Sequence, residues 1–152
     1  MSDTFNVRLC SMPSIIRRIG CAVICAFAIC PTAFADTLYE RLGGEKAVAS
    51  FVGETIDLTA ADPLTKRPFD KVDLTQLKKK IAEHICALTE GPCKYSGDSM
   101  QEVHRGMEIT ESEFYGMVDI LRGALNRRAV PEGAKNELLR ILAPMKREIV
   151  TN

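Results

Sequence analysis

The chain has two histidines, His84 and His104, and both fall in the 23-residue window HICALTEGPCKYSGDSMQEVHRG that runs from His84 to Gly106. Any chemistry that needs an imidazole is therefore built here. A metal-ligating histidine must be neutral and held at one orientation. The window offers a Gly91-Pro92 break, a tight turn, and then a short piece carrying His104, an arrangement able to fix an imidazole for a metal. Cys86 and Cys93 share the window. No paired carboxylates, Gly-rich phosphate loop or nucleophile–base pair occurs at a spacing that suggests hydrolytic or transfer chemistry.

The first 35 residues set the compartment in which this window is expected to work. Arg17 and Arg18 precede the apolar run from Ile19 to Ile29, and Ala33-Phe34-Ala35 closes the segment with small residues where a signal peptidase reads. A run of about 11 residues is too short to span a hydrocarbon core of about 30 Å as a helix. The segment reads as a secretory signal peptide cut after Ala35, in preference to an uncleaved anchor, and Met12 is an alternative start. Export to the periplasm or the medium follows as an expectation, with the mature domain at residues 36–152.

Cleavage would remove Arg8, Arg17, Arg18 and Asp3 from totals of 20 basic and 20 acidic residues, leaving the mature chain slightly acidic. That balance argues against nucleic acid or a membrane surface as partner. Lys78-Lys79-Lys80 is the one local basic run and reads as a solvated helix face. Four of the six cysteines would leave with the signal. The remaining pair, Cys86 and Cys93, either closes a disulfide across the Gly91-Pro92 turn or stays as two half-buried thiols.

The elements that must position the window are helical throughout, with no strand-like alternation long enough to propose a sheet. A short helix over Thr37–Leu42 ends at Gly43-Gly44. A second covers Glu45–Ala60 with Val48, Phe51, Val52, Ile56 and Thr59 on one face, and stops at Asp62-Pro63. An irregular stretch then carries Phe69. A third helix opens at Asp73 with Gln76 three residues on, and Leu74, Leu77, Ile81, His84, Ile85 and Leu88 form its inward stripe. Ser99–Arg105 is a short helical piece bearing His104, closed by Gly106. Thr110 and Glu113 make a capping box for a long helix with Phe114, Met117, Val118, Leu121 and Leu125 on one side. The last helix starts at Pro131, carries Leu138, Leu139, Leu142, Met145 and Ile149, and is expected to kink at Pro144. The fold class is all-α.

Several motifs occur in one order over residues 37 to 150: Leu38-Tyr39-Glu40-Arg41-Leu42-Gly43-Gly44, Phe69, Gly91-Pro92 with Tyr95-Ser96-Gly97, Met100, His104-x-Gly106, Ile109-Thr110 and Phe114. In these the chain resembles the group 1 truncated haemoglobins. The absence of tryptophan separates it from the group 2 relatives. The resemblance implies a two-over-two helical sandwich around haem b, with His104 as the proximal ligand of the iron and Phe69 stacked on the haem. It implies an apolar lining that includes Leu77, Ile81, Met107, Ile109 and Phe114, with Tyr95 near the haem or anchoring its loop. A diatomic gas, oxygen or else nitric oxide or carbon monoxide, is the implied ligand.

The distal side departs from the family's ligand-stabilising pattern. Where such members carry a tyrosine on the second helix and a glutamine or similar residue on the third, this chain has Ile56 and Ile81, with Leu77 before the latter. Without a hydrogen-bond donor, oxygen retention is expected to weaken roughly ten- to a hundredfold. His84 shares the stripe of Leu77 and Ile81 and is read as a distal donor, a sixth iron ligand, or a ring packed at the helix edge. Lys80 is read as a surface lysine or a haem-propionate contact, and less readily as an iron ligand.

Three functions follow. The first is an exported carrier, scavenger or sensor of a diatomic gas, its enzyme status open because nitric oxide dioxygenase-type turnover would require a separate, unidentified reductase. The second is a copper or zinc site built from His84, Cys86, Cys93 and His104, whose spacing fits no common framework and whose first two side chains point about 200° apart on a helix. The third is a helical adaptor that has lost haem, which would show a polar lining where haem sits.

Overall fold

A computed structural model of the protein describes residues 36–151. The expected signal peptide and its cleavage point lie outside these residues. Among the described residues there are seven α-helices, α1 (Leu38–Arg41), α2 (Gly44–Ala61), α3 (Leu74–Leu88), α4 (Met100–Val103), α5 (Glu111–Arg127), α6 (Glu132–Leu142) and α7 (Lys146–Ile149), with single 3-10 turns at Arg67–Phe69 and Ala143–Met145. None of these helices is long and apolar enough to cross a membrane.

The starts of these helices follow from their caps. Thr37 and Glu40 close a capping box on α1, Asp73 accepts from the backbone N–H groups of Thr75 and Gln76 on α3, and Thr110 and Glu113 close a second box on α5. Each arrangement satisfies N–H groups that the first helical turn leaves without partners. Pro144 lacks the N–H that would continue the last helix, so α6 stops at Leu142 and one 3-10 turn joins it to α7. The piece expected over Ser99–Arg105 is shorter than its sequence suggests: α4 ends at Val103, with His104 as its C-cap.

One core cluster draws on five of the helices. Leu38, Tyr39 and Leu42 come from the α1 region, Val48, Phe51, Val52 and Ile56 from α2, Ile85 and Cys86 from α3, Leu121, Ala124 and Leu125 from α5, and Ala134 and Leu138 from α6. α2 lies between α3 and α5 and packs on both. Its buried Thr55 and Thr59 donate to the carbonyls of Phe51 and Thr55, so neither hydroxyl enters the core unpaired.

α3 presents two apolar stripes where the sequence suggested one. Ile85 and Cys86, together with the capping Thr89, are buried against the core, whereas Leu77, Ile81, His84 and Leu88 are only half-buried. Spacings of four, three and four residues put this second set on one face of the helix. Phe114, Met117 and Val118 at the start of α5 are half-buried too, while Leu121, Ala124 and Leu125 further along are buried.

Cys86 and Cys93 form a disulfide that ties the end of α3 to the following loop. Closing so short a loop contributes about 2 kcal/mol, enough to stiffen the corner and too little to decide the fold. The chain turns there at Gly91, where an added Cβ would lie 2.6 Å from Cys86 Sγ and 2.8 Å from Tyr39 Cγ, so a larger residue does not fit beneath the bridge. Beyond it, residues 89–99 contain no helix, and Tyr95 secures them by donating from its hydroxyl to the carbonyl of Asp98 at 3.1 Å.

Candidate functional site

His104 is positioned by the one turn of helix that precedes it. Ser99 caps α4 by accepting from the backbone N–H of Glu102, and this fixes the carbonyl of Met100 one turn before the histidine. His104 Nδ1 lies 2.8 Å from that carbonyl oxygen. A carbonyl can only accept, so Nδ1 carries the proton of this bond and Nε2 is the nitrogen left free of it. An outer hydrogen bond to backbone that fixes the ring in this way is what a metal-ligating imidazole requires.

The loop after His104 is tied at successive residues. Met107 N donates to the His104 carbonyl at 3.1 Å, and the backbone then passes through two left-handed residues, Gly106 at φ 75° and Glu108 at φ 52°. Gly106 reaches its conformation without the Cβ penalty another residue would meet. Ile109 is buried and forms a parallel bridge with Val150, and its carbonyl accepts from Thr151 N at 3.1 Å. No local signal in the sequence points to this pairing of Ile109 with Val150.

Arg67 reaches the same loop from the opposite side of the sequence. Its guanidinium donates to both carboxylate oxygens of Glu113 at 2.7 and 2.8 Å, and to the carbonyls of Met107 and Glu108 at 2.8 and 2.9 Å. Thr110 adds two donors to Glu113. Arg67 above all, with Thr110, holds the Glu113 carboxyl down to about 2, although its burial works in the other direction. The Thr110–Glu113 box is local, but no local signal marks Arg67 as its partner, because Arg67 lies 40 to 46 residues before the groups it binds.

His84, read as a distal donor, a sixth iron ligand or a ring packed at the helix edge, and Tyr95, read as near the haem or anchoring its loop, are brought together, with ring centroids 4.3 Å apart and planes tilted by 60°. Both His84 nitrogens are buried and have no hydrogen-bond partner. Burial pushes its pKa below the ordinary histidine value, so the ring is neutral. Lys80 is exposed, within 3.5 Å of Glu83 and 3.4 Å of Ser96. An open groove of about 680 Å³ beside the α2–α3 connection takes in Phe69 but none of Leu77, Ile81, His84, Tyr95 or His104, and its walls include Lys66, Asp70 and Lys71. It does not correspond to the expected cofactor site.

The copper or zinc alternative is overturned. The disulfide removes both sulfurs from the four-residue set, and no group of three or more histidine, cysteine, aspartate or glutamate residues suited to a metal occurs among the described residues. A single oriented imidazole, in a chain whose α3 and α5 keep half-buried apolar residues at Leu77, Ile81, Phe114, Met117 and Val118, fits instead a large flat apolar cofactor that brings its own metal and needs one protein ligand.

Residues 37–151 match the family described as Bacterial-like globin. The chain is 32% identical to the group 1 truncated hemoglobin GlbN of Mycolicibacterium paratuberculosis over 115 residues, which cover 76% of this chain and 85% of the relative. The chain belongs to the group 1 truncated haemoglobins. This truncated globin is also 27% identical over 115 residues to the group 1 truncated hemoglobin of Tetrahymena pyriformis, covering 76% of the chain and 95% of the relative. The crystal structure of the truncated hemoglobin from Tetrahymena pyriformis in its Fe(III) form superposes with a TM-score of 0.73 at 26% identity, over 77% of this chain and all of the other. The fold is therefore the two-over-two globin sandwich, and the family is one of haem-iron proteins that bind gas ligands.

Proposed function

We propose that His104 Nε2 would hold haem b in this truncated globin, whose iron would bind a diatomic gas and release oxygen readily. The bond from His104 Nδ1 to the Met100 carbonyl carries the reading, since it leaves one nitrogen free on a ring that cannot turn without losing that bond. When bound, haem supplies a ferrous iron that binds gas reversibly and undergoes one-electron chemistry. The rest of the work falls to the chain. Leu77, Ile81, Met107 and Phe114 offer half-buried apolar surface, and Phe69 at its 3-10 turn offers an aromatic face. Ile56, fully buried, and Ile81, half-buried, stand where the family resemblance implies the gas-facing side, and their alkyl side chains have no donor to offer a gas ligand.

His84 does not act as a sixth ligand in this reading. Both its nitrogens are enclosed by protein and Tyr95 lies across the ring, so its role is to pack the disulfide-bonded corner beside the haem. Export to the periplasm is part of the proposal and is supported by the disulfide, which persists in an oxidising compartment. Turnover of nitric oxide with oxygen to nitrate fits the same site and would draw electrons from a separate reductase.

The test is the visible spectrum of the haem-loaded protein reduced by dithionite under argon and then exposed to carbon monoxide. The expected result is a five-coordinate ferrous spectrum that carbon monoxide converts completely within the mixing time at millimolar gas. A sharp six-coordinate ferrous spectrum, with carbon monoxide entering slowly, would contradict the open distal side and bring His84 or Lys80 back as ligand.

A further inference from the structure

We propose that Arg67 is a positioning residue for the proximal histidine, fixing the loop that leaves His104 and so setting how the imidazole meets the haem iron; this rests on the reading of His104 as the iron ligand. His104 is the C-cap of a four-residue helix, which has too few internal bonds to define its own position. Its orientation is set by what holds each end. Before α4, the disulfide and the Tyr95–Asp98 bond restrain the loop. After it, Met107 N bonds the His104 carbonyl, so any movement of Met107 reaches the histidine backbone directly.

Arg67 holds that second end. The carbonyls of Met107 and Glu108 accept from its two terminal nitrogens, and Glu113 accepts from Nε and Nη2 as a bidentate carboxylate. Three nitrogens of one planar group thereby bind three separate acceptors, which a lysine ammonium cannot reproduce at the same geometry. Glu113 is itself fixed at the start of α5 by Thr110. Arg67 belongs to the 3-10 turn that carries Pro68 and Phe69, so the residue expected to stack on the haem and the loop that leaves its iron ligand are tied by one guanidinium.

Arg67→Met keeps most of the stem and removes every donor. In the haem-loaded full chain it is expected to shift or broaden the ferrous iron–histidine stretching band in resonance Raman and to speed haem loss to an apoglobin acceptor roughly three- to tenfold, a modest factor because Arg67 is partly exposed. Helix content by circular dichroism should stay at the wild-type level, and Arg67→Lys should restore the band only in part. An unmoved band and unchanged haem loss in Arg67→Met would overturn the inference, as would a fall in melting temperature with the band unmoved, which would make Arg67 a plain structural strut. A wild-type protein with no iron–histidine band at all would overturn the His104 reading, and this inference with it.

Discussion

His104→Gly is expected to remove the protein's bond to haem iron while leaving the helices in place. His104 contributes to no buried core cluster, and its loss costs α4 one side-chain bond to the Met100 carbonyl. Removing an outer-shell partner of a metal ligand typically costs about 10- to 100-fold in affinity, so loss of the ligand itself should exceed that. Haem should still meet the apolar faces of α3 and α5, giving a broad, weak Soret band and rapid transfer to an acceptor. Free imidazole added to this variant should restore a sharp band by filling the vacated space. A His104→Gly protein with wild-type spectra and haem retention would place the iron on another residue, and His84 is then the only histidine left.

Ile81→Gln should have the largest effect on ligand chemistry. Ile81 lies on the half-buried stripe of α3 between Leu77 and His84, which the proposed function sets beside the gas ligand. A glutamine amide there supplies a donor worth about 1.5–3 kcal/mol to a partly negative ligand, which corresponds to oxygen release slowed roughly ten- to a hundredfold. Carbon monoxide, a poor acceptor, should be affected far less. Stopped-flow release of the two gases measures the contrast. Equal slowing of both would mean that the glutamine acts by blocking the exit path, and an unchanged oxygen rate would mean that α3 turns this residue away from the ligand.

Much of this was legible in the sequence because the signals were local. The Asp73 cap, the Thr110–Glu113 box and the stop at Asp62-Pro63 each lie within four residues of the boundary they mark, and all three hold. His104 stood out because the chain has only two histidines and a turn with helical spacing precedes it. The disulfide was one of two open readings, since spacing alone does not say whether the sulfurs face each other. Hydropathy gave Ile85 and Ile81 the same weight, whereas Ile85 is in the core and Ile81 is on the half-buried face. What remained hidden was non-local. Arg67 carries no local signal until the fold brings Glu113 and the Met107–Glu108 carbonyls to it, and the bridge between Ile109 and Val150 likewise joins residues far apart in the chain.

Glu113 also sets a pH boundary for the loop. Its carboxyl is held well below the ordinary carboxylate value in the folded state, so its contribution to stability is present above about pH 4.5 and is lost as pH falls toward 2. The clamp on the proximal loop is therefore constant through the neutral range.

Whether the chain takes haem through an imidazole decides the function proposed for it. The most direct measurement is titration of the purified protein with haemin, followed by absorption and by the ferrous iron–histidine stretching band in resonance Raman. A sharp Soret band saturating at one haem per chain, with an iron–histidine band after reduction, is the predicted result. A folded helical protein that leaves haemin free in solution, or binds it with no such band, would contradict it and return the haem-free helical adaptor as the better description.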